Sequence, residues 1–426
     1  MRIAFIVDQF PVLSQTFVIN QITGVLKQGH EVDIYTESWG DCFHVHPDVD
    51  KFQLLERTYL LPSIPNHWIW RLGKGIGIFL TRFHQSPRFL LSTLNLRKHG
   101  LLAGGLWLLY SAIPLMNKPT YDIVHCQFAT QGYRGMFFKA LLRPQPKLII
   151  TFRGHDISCY VQKQGKHVYD NLFQAGDFFL TNCEFFRQRV INLGADPART
   201  QVHFSGLDCK KFPFQSRQAE PTIQITTIGR LVEKKGIEYA IRAVAQQAKR
   251  YPYLKYQIIG DGLLKEHLQR LIHDLGAEES IALLGWKNEQ EIIEILNQSH
   301  LFIAPSVTAA DGNQDAPINV LKEAMAMGLP VISTHHGGIP ELVQDGVSGF
   351  LVPERDVDAL ASKLEQLIQN PQWWGEMGKV GRAYVEEHFD LEQLNQRLIQ
   401  LYGQLVNGSS SQERPLVESA IRSTPP

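Results

Sequence analysis

Acidic residues are absent between Glu56 and Asp122, although the 426-residue chain as a whole balances 42 Lys and Arg against 42 Asp and Glu. A chain of zero net charge sets up no global field, so nucleic acid is not an expected partner. Cysteine is scarce: Cys42, Cys126, Cys159, Cys183 and Cys209 show no CxxC or metal-like spacing. That argues for reduced thiols in a cytoplasmic protein rather than a disulfide framework. The most apolar run, residues 101–116, is shorter than the ~20 residues a spanning helix needs. Asp8 interrupts the apolar start "MRIAFIVDQF", which makes a poor signal peptide. No GxGxxG fingerprint follows the first strand pattern of either half, which weighs against a dehydrogenase. "DGNQD" at 311–315 is no DxD motif. His335 and His336 are neighbours that diverge on a strand, with no third ligand spaced nearby, so no metal is expected.

The acid-free stretch is itself a feature. It holds Arg57, Arg71, Lys74, Arg82, Arg88, Arg97, Lys98 and Lys118, interleaved with Trp68, Trp70, Phe79, Phe83, Phe89, Trp107 and Tyr110. Such a segment suits a helix lying among lipid headgroups, and equally a helical insertion with a cationic outer face. The expectation carried forward is peripheral contact, through residues 57–121, with the inner face of the cytoplasmic membrane.

Elsewhere short apolar runs alternate with amphipathic segments, the βαβ pattern of a parallel sheet covered on both sides. Strands are expected at 2–7, 31–36, 122–127, 147–152, 177–182 and 201–205, then at 223–228, 255–259, 280–284, 301–304 and 330–333. The polar segment 209–222 reads as a linker. The expected division is therefore a Rossmann-like domain at 1–208 and a second at 223–388. Helices are expected at 357–368 and 373–402, with a helix at 389–406 packing back on the first domain, and a Ser/Pro-rich tail at 407–426 should be disordered. Two doubly wound α/β sheets side by side make a cleft, with the carboxyl ends of their strands facing each other.

Most of the chemistry lies in the second unit. "TIGRLVEKKG" places Arg230 and Lys235 after a strand and just before a helix, where two cations suit a diphosphate; Lys234 reads as an ordinary solvated charge. "IIGDGLLKE" sets Gly260 and Gly262 around Asp261 in a tight turn that serves a ligand or the fold equally well. In "STHHGGIPELV", Gly337 and Gly338 let the backbone approach a phosphate, and Pro340 is placed to open a short helix. The segment "DGNQDAPINVLKEAMAMGLPVIS" reads as a helix from about 315 to 327, apolar all round yet carrying Asp315 and Glu323. Eight helical residues rise about 12 Å, beyond the ~5–9.5 Å of paired glycosidase carboxylates. Two carboxylates at that spacing suit two parts of one long ligand, such as a sugar and a ribose with a diphosphate between them.

In chain order, "GRLVEKKG", "GDG", the acid–x7–acid pattern with "EAMAMGLPVIST", and "GGIPELVQDGVSGFLVP" resemble family 4 of the retaining glycosyltransferases, which have the GT-B fold. The resemblance is dense over 222–353. It extends more thinly through "FPVLSQTFV", "DIVHCQF", "TFRGHDIS" and "HFSGLDCKKF", wording similar to the branch that builds exopolysaccharides such as colanic acid. It implies that Arg230 and Lys235 neutralise the donor diphosphate, that Glu323 binds the donor ribose, and that Asp315 lies by the donor sugar. The family usually has Glu at that last place, so the Asp puts donor-sugar preference in question. Gly229, Gly260, Gly262, Ala316, Ile318, Gly337 and Gly338 complete the implied donor site. Where a His often follows "TF" in the family, this chain has Arg153, with His155 two residues on; both are active-site candidates. Ser14, Gln15, Thr16 and His125 are implied on the acceptor side. The implied reaction moves a sugar, with retention and without metal or cofactor, from a nucleotide-sugar to a glycan or lipid-linked glycan. A GT-B nucleotide-sugar epimerase and an inactive donor-binding scaffold are the competing readings.

Overall fold

The computed structural model describes residues 1–12, 15–42, 45–65, 67–95 and 104–408. Strands β1 (Arg2–Phe10), β2 (Glu31–Trp39), β3 (Thr58–Leu60), β4 (Ile123–Cys126), β5 (Lys147–Phe152), β6 (Phe178–Thr181) and β7 (Thr200–Val202) form one parallel sheet, in the order β3-β2-β1-β4-β5-β6-β7. Strands β8 (Ile223–Ile228), β9 (Leu254–Ile259), β10 (Ile281–Gly285), β11 (Leu301–Ala304), β12 (Val331–Thr334) and β13 (Gly349–Val352) form a second, also parallel, ordered β10-β9-β8-β11-β12-β13. Helices cover both faces, which is why Ile3–Val7 and Leu301–Ile303 read as unbroken apolar runs and are wholly buried. Each sheet reverses its winding at one point, between β1 and β4 and between β8 and β11. Ligands bind doubly wound sheets in the crevice at the carboxyl edge of such a point.

Three expectations need correction. The helix expected from about 315 spans Asn319–Ala326, with Ile318 as its N-cap. Pro317 disfavours helical backbone at Ala316 and so keeps the preceding residues out of the helix. The single helix expected over 373–402 is two, Trp374–Phe389 and Leu391–Asn407, broken where the Asp390 side chain accepts from the Gln393 N–H at 2.8 Å. Strands β3 and β13 were not expected. The helix Leu391–Asn407 lies on the first sheet's side of the molecule: Leu398 and Tyr402 are fully buried in a cluster with Ile3 and Phe5, and Asn395 Nδ2 donates to the Asn20 carbonyl at 3.2 Å. The segment 209–222 is not free chain, since Arg217 is buried and donates to the Met327 carbonyl at 2.9 Å. From residue 409 on, the tail lies outside the described residues.

Candidate active site

The crevice between β8 and β11 collects the charged groups. β8 runs out into Gly229 and Arg230, and the β9 turn holds that exit in place: Leu231 N–H donates to the Asp261 carbonyl and Gly229 N–H to that of Ile259, both at 2.9 Å. Gly260 has φ +139°, and a Cβ there would fall 2.0 Å from the Gly229 carbonyl oxygen, so only glycine allows this approach. The "GDG" turn thus packs on the 229–231 backbone, while Asp261 is exposed and pairs with Lys265. Arg230 stands exposed at the strand end, and its side chain makes no hydrogen bond or ion pair among the described residues.

Next along the chain the short turn Glu233–Lys235 aims two lysines at one carboxylate. Lys235 Nζ lies 2.8 Å from Asp315 Oδ2, Lys234 Nζ 2.9 Å from Oδ1, and Ser306 Oγ, at the end of β11, donates to Oδ2 at 3.1 Å. Lys234 is therefore no solvated surface charge. Its partner stands far away in the sequence, and no local pattern announces it. Burial alone would raise the Asp315 carboxyl, but Lys235 and Lys234 outweigh it and hold the group well below the usual carboxylate range. Burial lowers the Lys235 ammonium, and Asp315 offsets part of that.

The backbone of Asp315 is fixed from the other side. Its N–H donates to His336 Nε2 at 2.9 Å, so the buried His336 ring carries its proton on Nδ1 and donates it to Glu354 Oε1 at 2.6 Å. His336 is thus a strut beneath Asp315, and His335 is exposed. Among the described residues no group of three or more His, Cys, Asp or Glu could hold a metal ion. Gly337 has φ +52°, and its Cβ would meet the Asp315 carbonyl oxygen at 2.0 Å. Gly337 and Gly338 therefore lie against the 315–317 backbone, and the turn Ile339–Glu341 opens at Pro340. Ala316 is buried there beside them.

Glu323 sits partly buried in the helix Asn319–Ala326. Its carboxylate has no hydrogen bond or ion pair among the described residues. Burial pushes it up to about 7, with Lys322 opposing and Glu289 adding to the rise. Asp315 lies outside this helix, so the 12 Å helical spacing does not apply to the pair. Lys322 points the other way and is 1% exposed; its Nζ donates to the Ser205 carbonyl at 2.6 Å, and burial pushes it down to about 7.

Across the cleft Arg153 is buried under the first sheet's carboxyl edge. It donates to the Gln127 carbonyl at 3.1 Å, Gln127 Oε1 at 2.6 Å, Ser205 Oγ at 3.2 Å and Gln21 Oε1 at 3.3 Å, and its guanidinium stacks 4.2 Å from the Phe17 ring. Burial pushes it down to about 9. His155 is exposed in the turn that follows, and the intervening Gly154 lies beside the Gln314 carbonyl of the other half. Gln15 occupies the N-cap position of the helix Thr16–Lys27 without a side-chain hydrogen bond to it, Gln15 and Thr16 are partly buried, and Ser14 lies outside the described residues. His125 does not face the cleft. It is fully buried, with Nδ1 2.6 Å from Tyr402 Oη and Nε2 2.7 Å from Thr151 Oγ1, because the last helix reaches back to cover it.

The two halves also touch through a residue that the sequence did not single out. Glu341 accepts the backbone N–H of Glu184 at 2.7 Å and of Phe185 at 2.8 Å, capping the helix Glu184–Asn192 that follows β6.

Residues 14–211 match the family model described as Glycosyltransferase Family 4, and residues 208–384 the one described as Glycosyl transferases group 1. The chain is 33% identical to the amylovoran biosynthesis glycosyltransferase AmsK of Erwinia amylovora, over 92% of its own length and 96% of that protein's. It is 31% identical to the putative colanic acid biosynthesis glycosyltransferase WcaL of Escherichia coli K12, over 94% and 99%. Among solved structures, HepE of Anabaena in complex with UDP and glucose superposes with a TM-score of 0.68 at 18% identity, over 95% of this chain and all of that one.

Proposed function

The chain belongs to family 4 of the glycosyltransferases, with their GT-B fold, and from that premise we propose that it transfers a hexose, with retention, from a nucleotide-sugar to a glycan or lipid-linked glycan acceptor in the assembly of a cell-surface polysaccharide. The observation that carries the donor site is the pair of unsatisfied charges at the β8/β11 crevice. Among the described residues Arg230 is exposed with no counter-charge, and Glu323 is partly buried with no donor. An exposed cation suits the diphosphate. A desolvated carboxylate suits two vicinal ribose hydroxyls, which would replace the hydrogen bonds it has lost. In this reading Asp315 holds Lys234 and Lys235 in place until the donor arrives, and the lysines then share their charge with the leaving diphosphate. Gly337 and Gly338 give the backbone close approach to that group, with Gly229, Gly260, Gly262, Ala316 and Ile318 shaping the walls.

The acceptor hydroxyl attacks the anomeric carbon on the face from which the diphosphate departs. The departing phosphate oxygen takes the acceptor proton. His155, at the lip of the cleft, and Arg153, beneath it, stand on the acceptor side with Gln15 and Thr16. Closure of the cleft excludes water and so favours transfer over hydrolysis. Neither metal nor cofactor enters this scheme. The exopolysaccharide assignment rests on what the relatives' names say of them.

The test is isothermal titration of the full chain with a panel of nucleotide-sugars, UDP-glucose and GDP-mannose included, repeated on Arg230→Ala and Glu323→Ala. One donor should bind wild type, and both variants should weaken it at least tenfold. Unchanged affinity in folded variants would place the donor elsewhere.

A further inference from the structure

The helix Trp68–Arg82 has two different faces. Its inner face is seated on the first domain: the Arg71 guanidinium lies 4.5 Å over the Trp107 ring, Tyr110 Oη donates to the Arg71 carbonyl at 2.8 Å, and a Cβ on Gly75 would meet Leu106 Cδ1 at 2.8 Å. Its outer face carries Ile69, Leu72, Ile76, Leu80 and, just past its end, Phe83, all between 37 and 72% exposed. Steps of three, four, four and three residues, at about 100° each, confine these five to an arc of roughly 80°. Trp68 and Trp70, 66 and 69% exposed, extend the apolar surface at the helix's first turn. A protein surface seldom leaves so many large apolar side chains in one row to water.

The geometry points to an anionic bilayer surface as the occupant of this row. The ridge is convex and one helix wide, so it offers no groove in which a partner's side chains could be held. The charge of the surrounding segment has one sign: it holds Lys74, Arg82 and Arg88, and no carboxylate occurs from 57 to 121. The helix is about 22 Å long, short of the ~30 Å hydrocarbon core, and no helix among the described residues is long and apolar enough to cross a membrane. It would lie in the headgroup plane, its row sunk toward the acyl chains and its tryptophans at the interface. This inference does not depend on the donor reading.

Flotation of the full chain tests it, with vesicles of phosphatidylcholine alone or with 30% phosphatidylglycerol and no nucleotide present. Wild type should float with the anionic vesicles and at least tenfold less with the neutral ones. Leu72→Asp/Ile76→Asp/Leu80→Asp should lose at least tenfold in partition with an unchanged melting temperature. The milder Leu80→Ser should lose part and guard against misfolding. Wild type remaining at the bottom, or the triple variant floating as well as wild type, would overturn the inference. So would ultracentrifugation showing a wild-type dimer that the triple variant dissolves, since a second copy would then cover the row.

A separate observation concerns Glu341. The helix Glu184–Asn192 has no side-chain cap of its own, and both oxygens of a carboxylate from the other half supply one. Glu341 ends the turn that begins at Gly337 and Gly338, and Gly338 itself abuts Cys183. We infer that Glu341 is a positioning residue that ties the loop assigned above to the donor diphosphate to the closed arrangement of the two halves; this rests on the donor reading. Glu341→Ala should enlarge the radius of gyration in solution scattering without ligand. It should also lower turnover at least tenfold while nucleotide-sugar affinity changes less than threefold, and Glu341→Gln should restore part of both. Unchanged scattering refutes the clasp whatever the donor does. Opened scattering with unchanged turnover refutes the link to catalysis. A wild type that binds no nucleotide-sugar refutes the donor reading and, with it, this link.

Discussion

Glu323 should make donor binding depend on pH. Burial pushes its carboxyl up to about 7. With that value about nine-tenths of the molecules carry the charge at pH 8 and about one-tenth at pH 6. If ribose hydroxyls donate to the ionised form, affinity for a nucleotide-sugar should fall roughly tenfold between those two pH values. A nucleotide-sugar is the right probe because its doubly esterified diphosphate does not titrate in this range, whereas a free nucleoside diphosphate does. Glu323→Gln keeps the shape and removes the charge. It should weaken binding at pH 8 by about tenfold to a hundredfold, the worth of a hydrogen bond to a charged group, and flatten the pH profile. Lys322, pushed down to about 7 by burial, titrates over the same range and is coupled to Glu323, so the difference between the two proteins reports the pair with and without the Glu323 charge. The assay is titration calorimetry at half-unit steps from pH 5.5 to 8.5. A flat wild-type profile, or a Gln variant whose profile parallels wild type, would refute the reasoning.

The same shift bears on stability. A carboxyl raised in the folded state costs nothing below its unfolded value near 4.5, and the full cost is present above about 7. Glu323→Gln should therefore be more stable than wild type at pH 8, by roughly 3 kcal/mol at most, and equal to it at pH 4.5, as read by urea unfolding. Asp315 has the opposite sign, being held low by its two lysines. Asp315→Asn should destabilise by about 3 kcal/mol at pH 7, with the gap closing as pH falls below the usual carboxylate range. Lys235→Ala should lower turnover more than donor affinity, and equal losses in steady-state kinetics would count against a transition-state role. Lys234→Ala should behave likewise but more weakly, since Lys235 still faces the leaving group, and a silent variant would return Lys234 to the status of a surface charge.

Alternation of apolar runs exposed both parallel sheets, because strands buried on two faces have no polar side to blur them. Strands β3 and β13 escaped for the opposite reason: at three and four residues they are edge pieces defined by their neighbours. Two errors were legible in hindsight. Pro317 marks where helix cannot begin earlier, and Asp390 with Gln393 carries the spacing of an N-cap inside the supposed single helix. The Lys234–Asp315 pair, the burial of His125 by Tyr402 and the cap lent by Glu341 were not legible. Each joins residues dozens to hundreds of positions apart, and no local period or propensity reports such a contact. The unpaired state of Glu323 and Arg230 is likewise a property of the folded crevice.

A thermal-shift panel of nucleotide-sugars against the full chain, with product analysis on every compound that binds, puts the donor site to the most direct trial. The account predicts that one nucleotide-sugar raises the melting temperature, that slow release of its nucleoside diphosphate follows, and that Lys235→Ala releases far less. Conversion of the donor to an epimeric nucleotide-sugar would contradict transfer, and a melting temperature that no nucleotide-sugar moves would contradict the site itself.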